Sequence, residues 1–346
     1  MSAARVLVTG GAGFLGVHLS RELRAFGDEV RILDLAAPPP WIDALAVDYR
    51  RGDLRDGAAV SDALGGADAL VHAAFASPYR TAADLQEVNV QGTRLVFERA
   101  AALGVPRAVL ISSTIVRQPP RAHPLLARAP LSRLDAYRAS RVAAEDLVRE
   151  PGWKHLSLAV VRPKTFIGPE RVGAFAILFE RIRRGLTVPV LGTGQNRYQL
   201  LDVRDMADGL RRLIHAEAQG AFEFGAAEYS TVADDLQALI DHAATGARLR
   251  FIPPAWSRLL LRALELAALP PLSEWHRASA RGEDSIVDTS RAERELGWRA
   301  QRSNLQALCE AYDWYRDRMT ASGSAPTTHP VPRVHRALER LVRLLG

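Results

Sequence analysis

The sequence predicts an α/β protein: a doubly wound parallel sheet, followed by a smaller C-terminal α/β substrate domain. Three observations carry this. Short apolar runs alternate with stretches of helical length through the first half of the chain. A glycine-rich turn joins the first strand pattern to the first helical one. After Pro163 the rhythm changes. Strands separated by helices of this length pair in parallel, because parallel neighbours need a crossover that a hairpin turn does not supply.

Taken in order, residues 5–9 form a short apolar run ending in glycines and read as a buried strand. Residues 16–26 show helical spacing, and 29–33 read as a second strand. The alternation continues with 69–72 (strand), 84–103 (helix), 108–112 (strand), 136–149 (helix) and 157–161 (strand). Beyond Pro163, two longer helical stretches, 174–184 and 255–269, sit among short strands and proline-rich joints. The expected division is therefore 1–165 for the first domain and 166–319 for the second. The second is expected to lie over the strand ends, with the chain crossing back to the sheet near 199–225. Residues 320–332 are rich in Ser, Thr, Pro and Ala and read as a linker. They lead to an amphipathic tail in which Ala337, Leu338, Leu341 and Leu345 share one helical face and Arg336, Arg340 and Arg343 fall elsewhere. Such a helix docks on its own domain, on a partner chain, or on a membrane surface.

The glycine turn, Thr9-Gly10-Gly11-Ala12-Gly13-Phe14-Leu15-Gly16, spaces Gly10, Gly13 and Gly16 as in a Rossmann dinucleotide site. The first glycine permits the tight turn, the second lets backbone approach a pyrophosphate, and the third lets helix pack close to strand. A glycine triplet alone also fits a turn with no ligand. Here the strand before it and the helix after it favour a phosphate resting on the unpaired amides of a positive helix end, with Phe14 and Leu15 beside it. Asp34 closes the second strand where an acid accepts ribose hydroxyls. A carboxylate there repels a 2′-phosphate, so NAD is expected over NADP. Asp53, followed by Leu54, fits either an adenine contact or a turn cap.

Bulk properties narrow the field. The 346-residue chain is 48% hydrophobic and 24% charged, with a formal net charge of +6. Its bases are almost all arginine; Lys154 and Lys164 are the only lysines. A basic chain attracts phosphorylated substrates, anionic lipid or nucleic acid, but no basic run with interleaved aromatics appears, and nucleic acid is not expected. Cys309 is the only cysteine. This excludes an intrachain disulfide and a cysteine metal cluster, and suits a reducing cytoplasm. The N-terminus lacks a signal-peptide pattern. Residues 255–269 are interrupted by Arg258, Arg262 and Glu265, too short and too charged to span a bilayer. His72, His123 and His155 stand in separate elements, so no metal is expected. No G-x-S-x-G elbow of a serine hydrolase occurs.

At this point the motifs resemble the extended short-chain dehydrogenase/reductase family, which includes NAD-dependent sugar epimerases and dehydratases, over residues 5–315. The resemblance rests on the glycine loop, the pairs Asp53-Leu54 and Ala73-Ala74, the run from Val88 and Asn89 to Thr93, and Ile111-Ser112-Ser113-Thr114. It rests also on Tyr137-Arg138-Ala139-Ser140-Arg141, Arg162-Pro163, Leu201-Asp202-Val203-Arg204-Asp205, and the closing Asp288-Thr289-Ser290-Arg291-Ala292 with Glu295-Leu296-Gly297-Trp298. It implies that Ala73, Ala74, Asn89, Ser112 and Pro163 join the glycine loop in the cofactor framework, and that the chain forms a homodimer.

In that family a tyrosine exchanges a proton with the substrate hydroxyl while the nicotinamide exchanges a hydride. A lysine four residues later holds the nicotinamide ribose and lowers the tyrosine's pKa, and a strand Ser or Thr positions the oxygen. By position, Tyr137 is the acid/base and Ser113 its hydroxyl partner, with Thr114 a neighbouring candidate. Four-residue spacing puts 137 and 141 on one helix face, and a fixed cation is the simplest way to make a phenol useful near neutrality. The departure is Arg141 in place of the lysine. Its charge is permanent and its planar fork needs different room. Lys164, just after the Arg-Pro pair, fits either a place near the cofactor or the solvated surface.

Family dehydratases and decarboxylases carry acids just after the strand serine, where this chain has Thr114 and Ile115, so elimination is disfavoured. Oxidoreduction, or epimerisation by oxidation and re-reduction, remains. Sugar-nucleotide members grip the diphosphate with an arginine where this chain has Tyr198; Arg197, one residue away, is the candidate substitute. Thr165 stands where those enzymes often have asparagine. These two departures favour an apolar alcohol or ketone, as in the 3β-hydroxysteroid dehydrogenase branch, and leucine-rich residues 256–272 fit either a pocket wall or core. Whole-length resemblance to the epimerase branch keeps a nucleotide sugar narrowly ahead. A protein that binds NAD without chemistry is the competing class, on account of Arg141.

Overall fold

Arg5–Thr9 (β1) is apolar at its centre, where Val6, Leu7 and Val8 are fully buried, as a strand covered on both faces requires. The computed structural model describes residues 3–78, 80–116, 136–153, 155–170, 173–216, 218–257, 259 and 274–322. They fall into two compact units. The first comprises Met1–Lys164, Val203–Phe224 and Asp288–Arg299; the second comprises Thr165–Asp202, Gly225–Val287 and Ala300–Gly346.

In the first unit β1 is followed by α1 (Phe14–Phe26), β2 (Glu29–Asp34), the single turn α2 (Trp41–Ala44), β3 (Asp48–Arg51), α3 (Gly57–Leu64) and β4 (Ala69–His72). A continuous helix comes next: α4 (Ala82–Leu85), a π-helical segment Gln86–Gly92, and α5 (Thr93–Ala102). Then come β5 (Arg107–Ile111), α6 (Ala136–Leu147) and β6 (Ser157–Pro163). The chain returns later with α8 (Val203–His215), β10 (Gly220–Phe224) and α11 (Ser290–Leu296). The strands form one seven-stranded sheet in the order β10-β6-β5-β4-β1-β2-β3, parallel at every pairing. The order reverses at β1, so β1 and β4 flank the switch point where such sheets bind ligands beyond their carboxyl ends.

Two features of this unit are not legible in the linear pattern. Strand β3, Asp48-Tyr49-Arg50-Arg51, has no apolar alternation. It is an edge strand held by side-chain charge, with Arg31 Nε 2.7 Å and Arg50 Nε 2.9 Å from the Asp48 carboxylate, and charged edges resist unwanted pairing. The return of Asp288–Arg299 to this unit is set by Trp298. Its ring stacks on Phe224 at 4.3 Å and its Nε1 donates to the Asp205 carbonyl. Gly209 makes room, since a Cβ there would lie 2.5 Å from the Phe224 ring.

The second unit contains β7 (Phe166–Ile167) paired with β9 (Leu201–Asp202), and β8 (Val188–Leu191) paired with β11 (Leu249–Ile252), both parallel. Its helices are α7 (Ala176–Arg183), α9 (Val232–Ala243), α10 (Glu274–Arg281) and α12 (Asn304–Ser322). Phe179 sits against Tyr312 and Tyr315 at the centre of its core. Of the helical stretch expected over 255–269, residues 255–257 and 259 are helical and the remainder lies outside the described residues, as do the tail beyond Ser322 and His123. Among the described residues no helix is long and apolar enough to cross a membrane, and no cluster of acids, His and Cys is arranged to hold a metal.

Candidate active site

The glycine loop lies at the carboxyl end of β1. Gly10 has φ +69°, and a Cβ there would meet the Ala74 backbone at 2.7 Å. At Gly16 a Cβ would fall 1.8 Å from the Gly11 carbonyl oxygen, so α1 rests directly on the loop. Gly13 is the N-cap of α1, no side chain caps that end, and its first turn carries no acid. The amides around Phe14, Leu15 and Gly16 therefore retain the positive helix end for an anion. This cradle, which any side chain would fill, fits a dinucleotide pyrophosphate. Asp34 ends β2; its two carboxylate oxygens accept the Ala12 and Ala36 amides at 3.0 and 2.9 Å, pinning the loop. Asp53 accepts from the Arg55 amide at 2.9 Å and pairs with its guanidinium, which lowers the carboxyl pKa. Of its two sequence readings, the described contacts are those of the turn cap. Leu54 is a buried core residue.

Beyond β4 a hydrogen-bonded chain crosses the switch point. Thr93 Oγ1 donates to the Asn89 carbonyl at 2.7 Å and so must accept from His72 Nε2 at 2.9 Å. A neutral imidazole protonated at Nε2 has an acceptor at Nδ1, which takes the Thr9 hydroxyl at 2.8 Å. Burial, with the nearby Arg141 charge, pushes His72 down to about 3 and keeps the ring neutral. Thr9 Oγ1 in turn accepts from the Ala74 amide at 3.4 Å, while Ala73 is fixed by its amide to the Thr9 carbonyl. The histidine that sequence reading set aside thus organises the Ala73-Ala74 loop. Asn89 lies in the π-helical segment, fully buried. Its Oδ1 accepts from the Ala76 amide and its Nδ2 donates to Ser140 Oγ, which donates to the Tyr137 carbonyl. The amide of Asn89 is committed to orienting the loop after β4 and the helix that carries Tyr137. A π-bulge at such a position is a recurrent feature of functional sites.

That helix, α6, is tied to β5 by Arg141. Its guanidinium is buried, donates from Nη2 to the Ile111 carbonyl at 2.8 Å, and lies 3.5 Å from the centre of the Phe75 ring. Desolvation lowers its pKa, opposed by the neighbouring Tyr137 and Glu145. Ile111 is the last residue of β5, which leads into Ser112 and Ser113, and Tyr137, one helical turn before Arg141 on α6, is partly exposed. Ser113 is partly exposed and its Oγ accepts the Ile115 amide at 3.3 Å, whereas Thr114 is buried. Among the described residues Ser112 Oγ is buried without a partner. A second tie is ionic. Arg162, fully buried in β6, donates to Glu145 of α6 at 2.9 Å and to Glu223 of β10 at 3.2 Å. Pro163 closes β6 opposite Phe224, and Lys164 follows it, buried rather than solvated, with its amide on the Phe224 carbonyl. Phe75 and the Ile111 carbonyl carry no signal in the sequence.

Of the substrate candidates, Thr114 lies in the first unit and Thr165, Arg197 and Tyr198 belong to the second. Thr165 is exposed and Tyr198 buried, and their hydroxyls meet at 2.9 Å. Arg197 is turned to solvent and engaged by Asp284, through its amide at 2.7 Å and its Nε at 2.9 Å. It does not take up the place of Tyr198.

The profile of the NAD dependent epimerase/dehydratase family matches residues 6–225. The chain belongs to this family. It is therefore an NAD-dependent epimerase or dehydrogenase, and its cofactor is NAD. It is 32% identical to "Uncharacterized protein y4nG" of Sinorhizobium fredii, over 94% of this chain and 82% of that one. It is 28% identical to "Sterol demethylase protein B" of Methylococcus capsulatus, over 90% of this chain and 98% of that one. The crystal structure of the Thermus thermophilus UDP-glucose 4-epimerase with NAD superposes with TM-score 0.72 at 23% identity, covering 90% and 99% of the two chains, and thereby shares the fold.

Proposed function

We propose that the chain interconverts a secondary alcohol and its ketone on an apolar substrate that carries no diphosphate. The observation that carries this reading is the Thr165–Tyr198 pair. At the two positions where the resemblance to sugar-nucleotide enzymes calls for asparagine and arginine, two neutral hydroxyls bond to each other. Arg197, the residue before Tyr198, is paired with Asp284. A diphosphate needs charge-assisted donors, whereas a self-satisfied neutral pair suits an uncharged ligand. The sterol-directed name of the Methylococcus relative supports the same reading.

Held by the glycine loop and Asp34, bound NAD would supply the hydride acceptor or donor for the carbinol carbon. The Tyr137 hydroxyl gives or takes the proton on the substrate oxygen, and Ser113 Oγ hydrogen-bonds that oxygen. Arg141 supplies a fixed positive charge beside Tyr137 without itself moving a proton. Asp34 orients the glycine loop and offers its remaining lone pairs to a ribose hydroxyl. The nucleotide-sugar reading rests on whole-length likeness to epimerases. Turnover of a panel of hydrophobic ketones and secondary alcohols, sterols included, against UDP- and dTDP-sugars separates the two. Reduction of apolar ketones with NADH, and no turnover of any nucleotide sugar, is the expected result; conversion of a nucleotide sugar alone overturns the proposal.

A further inference from the structure

We infer that a small aromatic-lined pocket in the second unit, with the Asp235 carboxylate in its wall, is a binding site for a protonated primary amine. Phe175, Tyr198, Leu236 and Trp275 line the pocket together with Asp235 and Asn304. All of them belong to the second unit. Phe175 and Trp275 stack with ring centres 6.0 Å apart and are partly exposed, so the pocket reaches the surface beside them. Asp235 and Asn304 are buried. The free volume, about 20 Å³, admits one water-sized group.

The ligand class follows from which donors and acceptors are left over. Asn304 has no donor left: its Nδ2 donates to the Tyr198 carbonyl at 2.7 Å and to Asp235 Oδ2 at 2.8 Å, while its Oδ1 accepts the Leu200 amide at 2.8 Å. The Tyr198 hydroxyl is held by Thr165. Asp235 is different. It accepts from Asn304 and from the Ser230 amide, whereas a carboxylate offers about four acceptor positions. Burial raises its pKa, Asp234 beside it adds a like charge, and among the described residues no cation pairs with it. The start of α9, where it stands, favours the negative form. The pocket thus offers acceptor positions and aromatic rings but no free donor. An anion finds nothing there, while a buried acid without a counter-ion is stabilised most by a ligand that brings the cation. Aromatic rings favour the same sign. The volume admits a primary ammonium and excludes a trimethylated one. The site depends only on groups within the second unit and is independent of which alcohol or ketone the enzyme turns over.

The test is calorimetric titration of the NAD-saturated full chain at neutral pH with probes of one chain length: hexylamine, hexan-1-ol, hexanoate and trimethylhexylammonium. Hexylamine is expected to bind at least about tenfold more tightly than hexan-1-ol, and the other two not measurably. Asp235→Asn keeps an acceptor for Asn304 and should abolish the preference for amine over alcohol. Trp275→Leu should reduce that preference about threefold; because Trp275 is partly exposed, this variant decides if Asp235→Asn does not fold. Competition between hexylamine and the ketone in turnover marks an amine carried by the substrate, and binding without competition marks a separate amine. Equal binding of hexylamine and hexan-1-ol by the wild type, as in a cavity that holds only water, overturns the inference. An amine preference unchanged in every variant that folds overturns it equally.

Discussion

The guanidinium carbon of Arg141 lies 3.5 Å from the centre of the Phe75 ring, and its Nη2 donates to the Ile111 carbonyl. An arginine thus occupies the helix position where the family resemblance calls for lysine, on an aromatic platform that a guanidinium uses better than an ammonium does. The cation near Tyr137 is preserved and rebuilt. Arg141→Lys is therefore expected to lower kcat about tenfold rather than raise it, because the shorter, non-planar head loses the stack. Phe75→Leu should lower it by a similar factor. Steady-state kinetics with a saturating ketone checks both; a large gain in Arg141→Lys would mark the wild-type site as impaired.

Tyr137→Phe removes the proton donor without disturbing the Asn89–Ser140 hydrogen bonds behind it. Turnover should fall by about 10²- to 10⁴-fold. NAD affinity, measured by calorimetry, should change little, since the glycine cradle is untouched. Retained turnover would remove Tyr137 from the mechanism.

The hydroxyl pair in the second unit makes a separate prediction. The wild type should show no measurable affinity for UDP in calorimetry. Thr165→Asn with Tyr198→Arg should acquire weak binding, by restoring a cation at the position now held by a phenol. Tight UDP binding by the wild type would contradict the apolar-substrate reading.

Histidine 72 links stability to pH. Its folded pKa, about 3, lies below the ordinary imidazole value of 6.5, so in the window between them the unfolded chain binds the extra proton. The stability contributed by the neutral ring is fully present above pH 6.5. It is lost as pH falls toward 3, at about 1.4 kcal/mol per pH unit. Urea unfolding at pH 7 and pH 5 should show a loss of about 2 kcal/mol from this group, and His72→Gln should flatten the difference even though it lowers stability overall.

Gly16→Ala tests the close packing of α1 on the loop. A Cβ 1.8 Å from the Gly11 carbonyl oxygen must displace backbone, at a cost of about 1–3 kcal/mol or more. Loss of NAD binding and a lowered melting temperature are expected together; unchanged binding would mean that the loop yields without disturbing the cradle.

The sequence by itself determined the doubly wound sheet, the glycine cradle, the family, and the residues that carry its motifs. Those signals are local: period, turn chemistry and spacing are written within a few residues of one another. Only the tertiary structure decided which charges and hydroxyls are available. Thr165 meets Tyr198 across 33 residues, and Arg197 is taken by Asp284 across 87. The His72 tautomer depends on partners from β1 and α5, and the platform under Arg141 comes from the loop after β4. The same holds for membership in the sheet: charged β3 is accepted at its edge, and Asp288–Arg299 is drawn back by the burial of Trp298. Burial and pairing are properties of neighbours in space, so residues with identical local patterns become a cofactor contact, a turn cap or a core side chain according to what folds against them.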